Sequence, residues 1–181
     1  MTPDAPFNVL FLCTGNSARS VLAESIMNCT HGDRFRACSA GSDPRGEVHP
    51  KTIELLRRLN FPTEDLRSKS WDEFAAGGKT AVPLDFIITV CDDAAGETCP
   101  VWPGHPITAH WGIEDPAAEK RGEMWERAAF LRTFHHLRNR ISVFAALPVD
   151  KLERTSLTAE IRAIGRLDDT TASVPKAAET S

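Results

Sequence analysis

The sequence predicts a single α/β domain: a four-stranded, mainly parallel sheet flanked by helices on both faces. Three observations predict it. Short apolar runs of strand formers alternate with segments whose apolar residues recur at helical spacing. The run Leu84 to Val90 is almost wholly apolar, as a strand covered on both faces must be. The length of 181 residues, with 41% hydrophobic and 25% charged side chains, fits one globular domain with a sizeable core. Right-handed crossovers follow from parallel strands.

Residues 1–6 read as an N-terminal arm, and 7–147 as the folded domain. Phe7 to Leu12 is the first strand, and it stops at Cys13-Thr14-Gly15-Asn16. A helix follows, with Val21, Leu22, Ile26 and Met27 on one face, and Asn16 or Ser17 is a suitable cap for it. Phe35 to Ala40 is a second strand, ended by Gly41. Pro50 to Leu59 is a helix with Ile53, Leu56 and Leu59 facing inward. Leu84 to Val90 is the third strand, ending at Cys91; a polar loop runs to Cys99-Pro100, and Ile107 to His110 is a short fourth strand. Pro116 to Phe144 carries a long helical pattern, interrupted near Gly122, with Trp125, Ala128, Leu131, Phe134 and Leu137 as apolar positions. Asp115 before Pro116 is a strong start signal, an N-cap followed by proline at the first helical position. A helical extension spans 148–166, with Leu152, Leu157, Ile161 and Ile164 on one side, and 167–181 is a polar tail with little to bury, predicted disordered.

Composition excludes several classes. With 21 basic against 25 acidic residues the net charge is −4, which argues against binding nucleic acid by phosphate neutralisation. No apolar run approaches the ~20 residues of a membrane span, and the N-terminus has no signal-peptide pattern. Five cysteines, an odd number, with no export signal point to a reducing cytoplasm.

The segment Cys13-Thr14-Gly15-Asn16-Ser17-Ala18-Arg19-Ser20 carries chemistry. Backbone N–H groups of a loop between strand and helix converge on one point, where the helix dipole adds to them. Gly15 and Asn16 tolerate the positive φ of such a curl. Arg19 offers a planar fork to two oxygens of a tetrahedral oxyanion. Cys13 at the mouth is expected to be acidified by amides, helix and arginine together. Asn16 and Ser20 brace it. Read singly, Cys13 is a small core residue and Arg19 a solvated one; the eight residues in this position outweigh that reading.

This segment resembles the phosphate loop of the low-molecular-weight protein tyrosine phosphatases. Phe11 to Glu24 is closer still to their relatives the arsenate reductases, and the resemblance resumes at Phe86 to Asp92, Cys99-Pro100, His110-Trp111-Gly112 and Asp115-Pro116-Ala117. It implies the fold of that family, with the oxyanion loop after the first strand. It also implies that Cys13 is the nucleophile, Arg19 the anion clamp and Asp115 the general acid. A phosphatase needs nothing more, whereas reduction of arsenate needs two electrons. Cys91 is the candidate second thiol, because adjacent parallel strands carry Cys13 and Cys91 to the same rim. The resemblance further implies that Cys99 resolves the Cys13–Cys91 disulfide. Seven residues separate Cys91 from Cys99, one more than in the thioredoxin-coupled members. The reductant is expected to be thioredoxin, with glutathione and glutaredoxin as the alternative, and phosphate and sulfate are competing anions.

Ala117 stands where tyrosine phosphatases carry an aromatic residue, and the chain has no tyrosine, which favours a small inorganic substrate over an aryl phosphate. Some arsenate reductases hold potassium near the loop, and the resemblance maps its ligands to Asn16, Glu24, Ser39, Ser70 and Asp72. A zinc site at His105, His110 and the later cysteines lacks a close ligand pair. Cys29 and Cys38 read as buried packing, His31 and His49 as loop residues, and Arg57-Arg58 and Arg138 to Arg140 as solvated helix faces. Two other functions remain open at this point: a phosphatase whose later cysteines protect Cys13, and a non-enzymatic anion or redox sensor.

Overall fold

The computed structural model describes residues 5–167. Four strands, β1 (Phe7–Cys13), β2 (Phe35–Gly41), β3 (Leu84–Thr89) and β4 (Gly104–His110), form one sheet in the order β2-β1-β3-β4, every pair parallel. The helices are α1 (Arg19–His31), α2 (Pro50–Arg58), a single turn α3 (Asp92–Ala95), α4 (Glu123–Ala146) and α5 (Arg154–Ile164). The strand order makes β1 and β3 neighbours, with Leu12 opposite Thr89.

Strand alternation divides the core. Val9, Phe11 and Cys13 of β1 face a cluster completed by Leu22, Ile26, Leu56, Phe134, Leu137 and Ile161 from four helices. Leu10 and Leu12 face the opposite way, against Ala40, Leu84, Ile87 and Phe74, with Trp71 and Trp102 packed on the rim. A one-turn 3-10 helix, Trp71–Glu73, lies on that side.

Element boundaries depart from expectation where tertiary contacts compete with local signals. α1 begins at Arg19, not at Asn16 or Ser17, and its cap position, Ala18, makes no side-chain cap. Residues 14–18 are held in a separate curl. In α2 the buried residues are Thr52, Leu55 and Leu56, while Leu59 is exposed and Ile53 half-buried. The long helical pattern divides: Pro116–Ala118 is a 3-10 turn capped by the Asp115 side chain, and α4 starts after Gly122 at φ 125°. Within α4, Trp125 and Leu131 face outward, and Phe130, Thr133, Phe134 and Leu137 inward.

The segment read as an extension is built into the main core. Leu157, Ile161 and Ile164 of α5 are buried there, and Trp111 donates its indole N–H to the Ile161 carbonyl (3.0 Å). Gly165 permits the crossing, since a Cβ there would lie 2.1 Å from the His110 carbonyl oxygen. The predicted tail from residue 168 onward, like arm residues 1–4, lies outside the described residues. Among the described residues no helix is long and apolar enough to cross a membrane.

Trp111 is fully buried between Phe11 and Phe144. Trp111→Ala is expected to cost about 3–5 kcal/mol of unfolding free energy in urea denaturation, through lost burial and an orphaned carbonyl. Trp125→Ala, at an exposed position, should cost less than about 1 kcal/mol.

Candidate active site

The loop 14–18 is curled by what holds its carbonyls. The Thr14 oxygen accepts from the Asp43 amide (3.0 Å), the Gly15 oxygen from the Arg45 amide (3.0 Å) and the Ser17 oxygen from the His49 amide (3.0 Å). Ser68 and Thr52 add hydroxyl donors to Gly15 and Ser17. With the carbonyls engaged outward, the amides of Thr14 to Ala18 donate to no protein acceptor among the described residues. Such a ring of free donors is the cradle an oxyanion requires. Of the two residues expected to take positive φ, only Asn16 does (φ 42°). Gly41 permits the curl from outside: a Cβ there would lie 2.3 Å from the Thr14 oxygen. That constraint and the Arg45 side chain, which lies against Gly15, left no signal in the sequence.

Asn16 is the buried hub. Its carboxamide N–H group donates to Ser20 Oγ (2.8 Å) and Ser39 Oγ (3.0 Å), and its Oδ1 accepts from the Lys69 amide (2.8 Å). Ser20 Oγ in turn lies 2.8 Å from Cys13 Sγ, so its hydroxyl hydrogen is directed to the sulfur. Ser39 passes its own hydrogen to the Glu24 carboxylate. Cys13 is 3% exposed. Burial pushes its thiol up, and the Cys91 sulfur adds to this, while the Ser20 hydroxyl and amide and then Arg19 act the other way. The expected acidification is therefore corrected: desolvation outweighs the donors, and the thiol is raised in the free protein.

Arg19 spans the loop and the strand-end segment after β4. Its Nη1 donates to the Ile113 carbonyl (2.9 Å), and Nη2 lies 3.7 Å from Asp115 Oδ2. Asp115 Oδ1 accepts from the Ala117 amide (3.1 Å), so it is a helix cap and a neighbour of the Arg19 guanidinium at once.

Cys91 is buried at the end of β3, its Sγ 3.6 Å from Thr14 Oγ1. The Val90 amide donates to the Leu12 carbonyl (2.8 Å), which locks the two strand ends side by side. Cys91 also caps α3, accepting from the Ala94 amide (3.4 Å). Cys99 is exposed, at the edge of a groove of about 560 Å³ shared with Ala94, Trp102, His110 and Arg162. It forms no disulfide with the buried Cys91. Asp92 ties α3 to β4 through His110 Nε2 (2.8 Å), whose Nδ1 meets Thr89 Oγ1 (2.8 Å). All five cysteines are free. Cys29 is exposed, against expectation, whereas Cys38 is half-buried and packs against the Leu10 and Leu12 cluster.

Of the five oxygens mapped to potassium, Asn16, Glu24 and Ser39 meet, whereas Ser70 and Asp72 bond to each other (3.3 Å), Asp72 exposed. No group of three or more His, Cys, Asp or Glu that could hold a metal occurs among the described residues. His110 is engaged as above; His49 caps α2, and Arg140, expected on a solvated face, is 4% exposed and donates to the Gly112 carbonyl (3.2 Å).

A cysteine and an arginine bracketing an oxyanion loop, at the mouth of a four-stranded parallel sheet, define a phosphatase-like site. Residues 8–156 match the family model "Low molecular weight phosphotyrosine protein phosphatase", and the chain belongs to that family. Within it, the chain is 32% identical over 137 residues to the arsenate reductase of Bacillus subtilis, covering 76% of this chain and 94% of the relative. The solved arsenate reductase of Archaeoglobus fulgidus superposes with a TM-score of 0.54 at 27% identity, over 74% of this chain and 98% of that one. The thioredoxin-dependent arsenate reductase of Corynebacterium glutamicum gives a TM-score of 0.57 at 25% identity, over 78% of this chain. This chain spans 61% of that protein's length.

The raised thiol has a consequence for stability. The fold favours protonated Cys13, so its contribution is complete below the ordinary value of 9.0 and is lost as pH rises through and above it. Between pH 8 and pH 10 the melting temperature of the wild type is expected to fall further than that of Cys13→Ser, measured by differential scanning calorimetry in anion-free buffer.

Proposed function

We propose that this chain is an arsenate reductase acting through Cys13, Cys91 and Cys99. The observation that carries the reading is the approach of Cys91 Sγ to Thr14, the residue directly after Cys13, across the β1–β3 pair. A phosphatase has no need of a second sulfur there. The arsenate reductases among the relatives add their support.

Arsenate sits in the amides of Thr14 to Ala18 with Arg19 clamping two oxygens, its fork shared between substrate and the Ile113 carbonyl. Cys13 passes its proton to an oxygen of the bound arsenate and attacks arsenic; the thiolate is held by the Ser20 hydroxyl and amide. Asp115 protonates the departing oxygen, which leaves as water. Cys91 then attacks Cys13 Sγ. The electron pair of the sulfur–arsenic bond passes to arsenic, which departs as arsenite, and a Cys13–Cys91 disulfide remains. Cys99 attacks Cys91, releasing Cys13 as thiolate and leaving a Cys91–Cys99 disulfide.

That last step requires α3 to unwind, since Cys91 is buried and Cys99 exposed. The cost is small for one turn whose cap is the reacting sulfur itself. The new disulfide then lies at the groove beside Trp102, where a dithiol protein restores both thiols. Thioredoxin is the reductant favoured by the likeness to the Corynebacterium enzyme; glutaredoxin with glutathione is the competing donor. Phosphate and sulfate, alike in shape, compete for the loop, and the same attack on a phosphate monoester gives slow hydrolysis. The oxyanion chemistry and reducing cysteines suit a cytoplasmic protein.

Cys91→Ser is expected to abolish arsenate turnover, read as NADPH oxidation with thioredoxin and its reductase, while sparing slow hydrolysis of an aryl phosphate. Retained arsenate turnover would refute the relay. Cys99→Ser should perform a single turnover and trap a Cys13–Cys91 disulfide, identified by peptide mass spectrometry. Running the wild type with glutathione and glutaredoxin beside thioredoxin identifies the donor.

A further inference from the structure

Lys69 is one of two buried charged side chains among the described residues, at 7% exposed, and the mechanism above does not use it. Its ammonium lies 3.5 Å from Glu24 Oε2, on a carboxylate only 15% exposed, and donates to the Arg67 carbonyl (3.2 Å). Arg67 itself is committed to Glu73 through two bonds of 2.9 and 2.6 Å. Lys69 is therefore the cation that meets Glu24.

From there an unbroken series of hydrogen bonds runs to the nucleophile. Glu24 accepts from Ser39; Ser39 Oγ accepts from Asn16; Asn16 donates to Ser20 Oγ; Ser20 meets Cys13 Sγ. Each donor direction is dictated by the next. Glu24 as a carboxylate can only accept, so Ser39 gives its hydrogen there and must accept from Asn16. The same Asn16 group then donates to Ser20, whose hydrogen is left for the sulfur. Lys69 is tied into this series a second time through its backbone, its amide donating to Asn16 Oδ1 (2.8 Å) and its carbonyl accepting from Gly41 (2.9 Å).

Potassium does not fit this arrangement. The carboxylate it would neutralise already faces an ammonium. We propose that the Lys69 ammonium supplies in this chain the positive charge of an alkali cation beside the Glu24 carboxylate. Lys69 is thus a positioning residue that sets the orientation of Ser39, Asn16 and Ser20 towards Cys13, and the wild type needs no potassium. The inference stands apart from the identity of the substrate.

Lys69→Met removes the charge while leaving both backbone bonds possible, and Lys69→Arg restores it. Melting temperature and the rate of Cys13 alkylation, followed by peptide mass spectrometry, are compared in potassium and choline chloride at equal ionic strength. The wild type and Lys69→Arg are expected to be indifferent to the cation. In Lys69→Met, potassium should raise the melting temperature by roughly 2–4 °C relative to choline and return Cys13 alkylation towards the wild-type rate. A wild type that melts higher in potassium than in choline overturns the proposal. So does a Lys69→Met protein with wild-type Cys13 reactivity and no cation response. Should Lys69→Met fail to fold, the wild-type comparison still decides.

Discussion

The outward anchoring of three carbonyls, those of Thr14, Gly15 and Ser17, is the constraint on which the site depends. A short loop between a strand and a helix has no reason of its own to turn every amide inward. It does so here because the segment after β2 runs alongside and supplies a donor to each carbonyl. Gly41 makes that approach possible, and Asn16, at positive φ with a side chain bonded on both ends, closes the curl. The ring of free amides is thus a product of tertiary packing around a loop, and donors held in this way need little reorganisation to meet a negative charge.

The same packing imposes a tension at Cys13. The sulfur is placed beside the Ser20 hydroxyl and amide by being buried, and burial is what disfavours its ionised form. Ser20 and Arg19 offset part of that penalty. The series running back through Asn16, Ser39 and Glu24 keeps the Ser20 hydroxyl aimed at the sulfur. Cys91, equally buried at the end of the neighbouring strand, doubles as the cap of a four-residue helix. A functional group placed on so small an element is easily released when that turn opens.

Much of the architecture was legible in the residues. β1 and β3 are mainly apolar runs, whereas β2 alternates around an exposed Arg36; in α4 the helical periodicity is real, but the buried stripe runs through Phe130, Phe134 and Leu137 and leaves Trp125 and Leu131 facing solvent. The onset of α1 was placed too early because Asn16 and Ser17 are good caps in isolation. Here their polar atoms are spent on Ser20, Ser39, Thr52 and His49. The site showed the same division. The sulfur, the arginine and Asp115 could be read from one loop and one Asp-Pro pair. Lys69, Gly41 and the Ile113 carbonyl could not, because each acts on a residue more than twenty positions away in the chain.

By itself the sequence determined the inventory: which side chains can attack, clamp or donate, and which strands carry them to one edge of a parallel sheet. Those are properties of residue type and of short-range periodicity, which survive being read in one dimension. Only the tertiary structure decided how those groups are charged, aimed and separated. It raised the Cys13 thiol by enclosing it, set Lys69 against Glu24, and kept Cys99 at the surface while Cys91 was buried. Desolvation and hydrogen-bond direction depend on every neighbour within a few ångströms, and most of those neighbours come from distant parts of the chain.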